Sequence, residues 1–201
     1  MSDRKFLIAI LLMLMVFSVQ AQGEFTSQPR HGQYSLVAYV SGGLGYFSSD
    51  KGVPAYLQTS VTKLSPVTSV RIMWFPDHLL KMGLETGYVT FYSYNITDSA
   101  GGKGKVSLNA VPILLVWSMS ITKNFNIFAG SGAYILNTQL DYKEKVISKK
   151  FSVGWVAAAS YIYPLGKNTG LGLEGKWLYA AETSNGSLCT QLQFVWKFLK
   201  W

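Results

Sequence analysis

The feature that most constrains this chain is an alternation of apolar and small or polar residues that returns along most of its length. From Tyr34 to Phe47 the even positions read Tyr34, Leu36, Ala38, Val40, Gly42, Leu44 and Tyr46, while the odd ones include Ser35, Ser41, Gly43 and Gly45. A period of two puts alternate side chains on opposite faces, so this is a strand with one apolar face. The pattern recurs at 68–75, where Val70, Ile72 and Trp74 oppose Ser69 and Arg71. It recurs again at 80–92, where Leu80, Met82, Leu84, Thr86, Tyr88 and Tyr92 oppose Lys81, Gly83, Glu85 and Gly87.

Further strands are expected at 106–117, 125–137, 151–163, 171–179 and 188–198. The segment 106–117 is apolar on both faces and holds Pro112, so its orientation stays open and a bulge is expected at the proline. The seventh segment sets Leu171, Leu173, Trp177 and Tyr179 against Gly172, Glu174 and Lys176. The eighth sets Leu188, Leu192, Phe194, Trp196 and Phe198 against Gln191, Gln193 and Lys197. Helical periodicity of useful length is missing. Connections at 48–67, 93–105, 138–150 and 181–187 are longer than those at 76–78, 121–124 and 164–169. The stretch 54–65 reads either as loop or as extra short strands.

Composition decides which solvent the apolar face meets. Charged residues make up 14% of the chain and hydrophobic residues 49%, against about 25% charged in ordinary soluble domains. With 12 Tyr, 11 Phe and 6 Trp, aromatics gather near the strand ends: Tyr46, Tyr92, Tyr94, Tyr134 and Tyr179 toward the longer loops, and Trp74, Phe125, Tyr163 and Phe198 toward the short turns. Amphipathic rings favour the two head-group levels of a bilayer. An open sheet edge in hydrocarbon leaves backbone groups unpaired, so the sheet must close. The fold expected is all-β: a closed, eight-stranded, antiparallel up-and-down transmembrane β-barrel. A soluble ligand-carrying barrel with its apolar face inward is the alternative. It is disfavoured by Gly43, Gly45, Gly83, Gly87, Gly154 and Gly172 on the other face, because small residues suit a narrow interior.

The first residues read as an export signal: Arg4 and Lys5, an apolar run from Phe6 to Phe17, then Val19-Gln20-Ala21. The run is shorter than the roughly 20 residues a spanning helix needs. The organisation expected is a signal peptide at 1–21, a short periplasmic segment at 22–33 and the barrel at 34–201, in the cell outer membrane with the longer loops outside. Cys189 stands alone, which excludes an intramolecular disulfide; it reads as a small apolar residue.

The leader, the eight-strand meander and the segments "SLNAVPILLVWSM" and "NIFAGSGAYIL" resemble the outer-membrane β-barrel domain family common in Bacteroidetes, which includes OmpA-like and PorT-like eight-stranded barrels. The resemblance covers nearly all of the chain after the leader, and it marks fold more than activity. The terminal Trp201 is similar to the signal by which such proteins are delivered to the barrel-assembly machinery. It departs from that pattern in falling on the opposite parity from Phe194, Trp196 and Phe198.

The formal charge is +8, but it is dispersed and no nucleic-acid motif accompanies it. Outer-membrane lipid and lipopolysaccharide are the partners it fits, with Lys143, Lys145, Lys149 and Lys150 as possible lipopolysaccharide contacts. His31 and His78 have neither a Ser nor a carboxylate at the spacing of lipid A deacylases. No catalytic residue, cofactor or metal is therefore expected, and the chain reads as a monomeric non-enzyme with a structural or surface-interaction role carried by its outer loops. The alternatives are a lipid A-modifying enzyme with an unfamiliar site and an accessory barrel of a secretion or assembly complex. By parity Arg71, Lys81, Glu85, Glu174 and Lys176 point inward as a structural lumen network. Arg71 is expected opposite position 83, with Glu85 its diagonal partner and Lys81 and the Glu174/Lys176 pair extending the network.

Overall fold

The computed structural model describes residues 34–48, 61–76, 80–97, 103–142, 144–181 and 185–201. The proposed signal peptide and the segment to Gln33 lie outside these, as do His31, His78 and Lys143. Eight strands run in order: β1 Ser35–Phe47, β2 Leu64–Phe75, β3 Leu80–Thr97, β4 Lys103–Ser120, β5 Phe125–Tyr142, β6 Glu144–Pro164, β7 Thr169–Ala180 and β8 Asn185–Lys200. Each pairs antiparallel with its neighbours, and β1 pairs with β8 to close the barrel.

Closure removes both sheet edges over the barrel's height, and the pleat then sorts the side chains. Burial on β2 and β7 alternates strictly for most of their length. Apolar residues such as Val40, Ile72, Leu84, Leu173 and Leu192 lie on the outer surface, while Arg71, Glu85, Glu174, Lys176, Gln191 and Gln193 are buried inside. A soluble protein places these classes the other way round, so the exterior is built for lipid. All six tryptophans fall outside: Trp74, Trp155, Trp177, Trp196 and Trp201 are exposed, and Trp117 is half-buried on the outward parity of β4.

The orientation of β4 is fixed by its neighbours: Leu114, Val116 and Ser118 point inward and Ile113 and Leu115 outward. The bulge expected at Pro112 is absent. The β3–β4 register continues unshifted from Thr86↔Ile113 to Val89↔Ala110, and Pro112 faces Tyr134 on β5. The irregularity falls instead between Thr90 and Tyr92. That shift turns Tyr92 inward, to 8% exposure, so it leaves the girdle expected of it. Tyr134 also turns inward. It lies on the parity of Phe128, packs over Gly154, where a Cβ would sit 2.6 Å from the ring, and donates to the Trp155 carbonyl at 3.1 Å.

The last turn of the chain explains the odd parity of Trp201. The β1–β8 register shifts between Leu36, paired with Leu199, and Val37, paired with Lys197, leaving Phe198 as the extra residue of a bulge. Beyond it Leu199 and Trp201 are exposed. Trp201 and Tyr34 exchange two backbone hydrogen bonds and stack, and Tyr34 stacks in turn on Trp74.

The segments 93–105 and 138–150, expected as loops, are mostly strand. β3 reaches Thr97 and β4 starts at Lys103, while β5 and β6 pair as far as Tyr142↔Glu144. β2 also begins earlier than expected, at Leu64, with Thr62 bridged to Ser93; residues 49–60 are outside the described set. Because β6 meets β7 only from Gly154, one side of the wall, made of β3 to β6, stands well above the rim left by β7 and β8.

Candidate functional site

Two places gather chemistry: the middle of the lumen and the projecting wall. In the lumen, the β2–β3 pairing puts Arg71 directly opposite Glu85, not diagonal to it. The hairpin is centred one residue further along than expected, which moves the pairing by two and so keeps every side chain on its face. β7 supplies Glu174 and Lys176 from across the lumen. Arg71 Nε donates to Glu85 Oε2 at 2.7 Å and Nη1 to Glu174 Oε2 at 2.9 Å. Lys176 Nζ donates to Glu85 Oε1 at 2.6 Å, and it lies 2.9 Å from Glu174 Oε1 as an ion pair without hydrogen-bond alignment. Two cations and two carboxylates thus form a closed, formally neutral ring, each side chain 2% exposed or less.

The ring is held from several sides. Phe128 covers the Arg71 guanidinium at 4.1 Å, and Tyr39 packs edge-on against Phe128. Lys176 Nζ also donates to Ser69 Oγ at 2.9 Å, and Ser69 donates to Gln191 at 3.1 Å. Gln193 Nε2 donates to Glu174 Oε2 at 3.1 Å and to Ser41 at 3.3 Å, and Ser160 donates to Gln193 Oε1 at 2.8 Å. Burying four charges is tolerable only because each is paired and hydrogen-bonded. An eight-stranded barrel is just wide enough for its side chains, so this assembly crosses the lumen as a polar plug. Alternation alone does not mark Tyr39, Ser69, Phe128 or Ser160 as partners of the ring, although Tyr39 and Ser69 share the inward parity of Ser41 and Arg71.

Lys81 does not join the ring. It faces inward near the short-turn end, where its ammonium donates to Ser120 Oγ at 2.5 Å and sits 4.2 Å from the Phe75 ring centre. Cys189 is buried beside Ser187 at 3.6 Å, as a small apolar residue would be.

The projecting wall carries the basic cluster. Lys149 and Lys150 are exposed on β6, in register with Asn137 and Leu136 of β5. Lys145 takes a strand position opposite Asp141. Exposed Val146, Ile147, Phe151 and Val153 share this strand. Just below, Trp155 packs on Trp177 at 5.0 Å and on Tyr179 at 5.4 Å, marking the upper head-group level. Trp74, Tyr163, Trp196 and Phe198 lie toward the other end.

No family model matches the chain, and no curated protein matches it. Among solved structures it is similar to the Neisserial surface protein A, with 13% identity and a TM-score of 0.50 over 84% of this chain and 100% of that one. It is similar also to the outer membrane protein OprG from Pseudomonas aeruginosa, with 10% identity and a TM-score of 0.51 over 81% of this chain and 97% of that one. At such identities the likeness is one of fold. The chain has the architecture and the lipid-facing exterior of a small eight-stranded outer-membrane β-barrel.

Proposed function

We propose that this chain is a monomeric, non-enzymatic outer-membrane barrel that acts as a structural and surface-interaction protein. Its lumen is closed by the ion-pair ring, and its recognition element is the sheet that β3 to β6 raise beyond the rim. The observation that carries this reading is the uneven wall. β6 continues from Gly154 up to Glu144 after β7 has ended, so a paired, solvent-facing sheet stands where a recognition surface would meet the cell's exterior. Delivery by the barrel-assembly machinery and kinship with Bacteroidetes-type barrels belong to the same reading, supported by the outward Trp201 and by the strand with a central Pro112.

The partner surface is lipopolysaccharide. Lys149 and Lys150 lie above the Trp155–Trp177–Tyr179 cluster, at the height where lipid A phosphates would sit. Ammonium–phosphate pairing is a charge-assisted contact, worth about 1 kcal/mol per lysine near an anionic lipid surface. Replacing Lys143, Lys145, Lys149 and Lys150 with Gln is expected to weaken lipopolysaccharide binding by about tenfold or more at low salt. Detergent-phase titration against purified lipopolysaccharide measures this. Unchanged affinity would remove lipopolysaccharide from the reading and leave the projecting sheet to a protein partner.

A further inference from the structure

The ring does not include Lys81, a buried cation of the lumen. Lys81 is 3% exposed, and among the described residues no ion pair reaches it. Its charged neighbour is a second cation, Lys197, half-buried at the same end of the lumen. Its ammonium spends one N–H on Ser120 and rests against the face of Phe75, which leaves further donor capacity.

Two more donors stand beside it. Ser118 is paired across from Lys81 in the β3–β4 register, is 2% exposed, and its Oγ has no partner. Ser120 Oγ donates to Asn126 Oδ1 at 2.6 Å, which fixes the amide so that Nδ2 is its free end. That nitrogen is unpartnered on a side chain 1% exposed. Asn126 also faces Ser160 in register, whose hydroxyl is committed to Gln193. Three adjacent strands therefore bring an ammonium, a hydroxyl and a primary amide to one level of the inner face, with no carboxylate among the described residues to receive them. Water would satisfy the hydrogen bonds but not the charge, and an uncompensated buried ammonium is costly. An anion satisfies both.

We propose that Lys81, Ser118 and Asn126 form a buried site for one small inorganic anion of chloride size at the short-turn end of the lumen. The near-complete burial of all three side chains limits the occupant to a compact ion, and the Lys81 ammonium with the Asn126 amide N–H selects its sign, while the Ser118 hydroxyl can turn to donate. A halide there would neutralise Lys81 and link the Ser120–Asn126 pair to the polar chain that Ser160 and Gln193 extend to the ring.

Crystals of the full barrel grown in sodium bromide give the direct test, by anomalous scattering at the bromine edge. A peak is expected within hydrogen-bonding distance of Lys81 Nζ and Asn126 Nδ2, and it should vanish in Lys81→Met. In solution, the urea midpoint of the wild-type barrel should be higher in sodium chloride than in sodium gluconate at equal ionic strength, gluconate being too large to enter. Lys81→Met should lose that difference, and Asn126→Leu serves where Lys81→Met fails to fold. Absence of the peak, an equal peak in the variant (an adventitious ion only), or identical wild-type midpoints in the two salts would overturn the proposal.

Discussion

Glu85→Ala is expected to destabilise the barrel by about 3–5 kcal/mol in detergent or lipid, the usual cost of removing one partner from a buried ion pair. Glu85 accepts from both Arg71 and Lys176, so its loss leaves two cations sharing Glu174 and a net charge in a closed lumen. Arg71→Ala produces the converse, two carboxylates on Lys176. The double variant keeps the neutral Lys176–Glu174 contact, so its cost should fall short of the summed single costs by about 0.5–3 kcal/mol. Equilibrium urea unfolding of the four proteins measures the cycle. Additive costs would mean that the ring is not a coupled unit, and a cheap Glu85→Ala would mean that water reaches it.

Leu192→Arg is the second variant with a large expected effect. Leu192 is 71% exposed, and in a soluble protein a charge at so open a site changes stability by no more than about 0.5 kcal/mol. Here the position lies on the outer face between Leu173 and Gly42, well inside the span from Trp196 to the rim. At mid-bilayer depth an arginine on the lipid face of a barrel costs about 2–4 kcal/mol. Lys149→Gln, on the projecting wall, should by contrast leave the unfolding midpoint unchanged. A Leu192→Arg barrel as stable as wild type would place that face in water.

What could be read from sequence followed from how strictly each face was solvated. On β1, β2, β7 and β8 one parity is mostly apolar and the other holds the lumen charges among residues such as Val37, Tyr39, Met73 and Leu178, so their orientation and the inward positions of Arg71, Glu85, Glu174 and Lys176 are legible. Pairing partners were less so. Only the length of the turn after Pro76 separates Arg71 opposite 83 from Arg71 opposite Glu85, and both choices keep the same faces. Where two faces see similar solvent, the signal disappears. Residues 138–150 mix polar and charged residues into both parities, as suits a sheet above the membrane, and so they read as loop although they pair through Tyr142↔Glu144. Local shifts defeat parity altogether. The bulge at Phe198 reverses the sense of Trp201, and the shift between Thr90 and Tyr92 buries a tyrosine that alternation assigned to lipid. An aromatic residue near a strand end suits a girdle, but Gly154, diagonal to Tyr134 on β6, leaves room for the Tyr134 ring inside. The isolation of Lys81 from the ring depends on how far apart its level and that of Glu85 lie in the lumen, which alternation does not encode.

The apolar face of this barrel meets lipid while its charges close the lumen, and the tryptophans report on which solvent that face meets. All six lie on the outer face, most of them near its two ends. The measurement is tryptophan fluorescence of the barrel reconstituted in bilayers whose acyl chains are brominated at stepped depths, set against iodide as an aqueous quencher. Blue-shifted emission is expected, with strong quenching by bromines near the head groups, weaker quenching by bromines at the chain ends, and little effect of iodide. Red-shifted emission quenched by iodide and indifferent to brominated chains would contradict it.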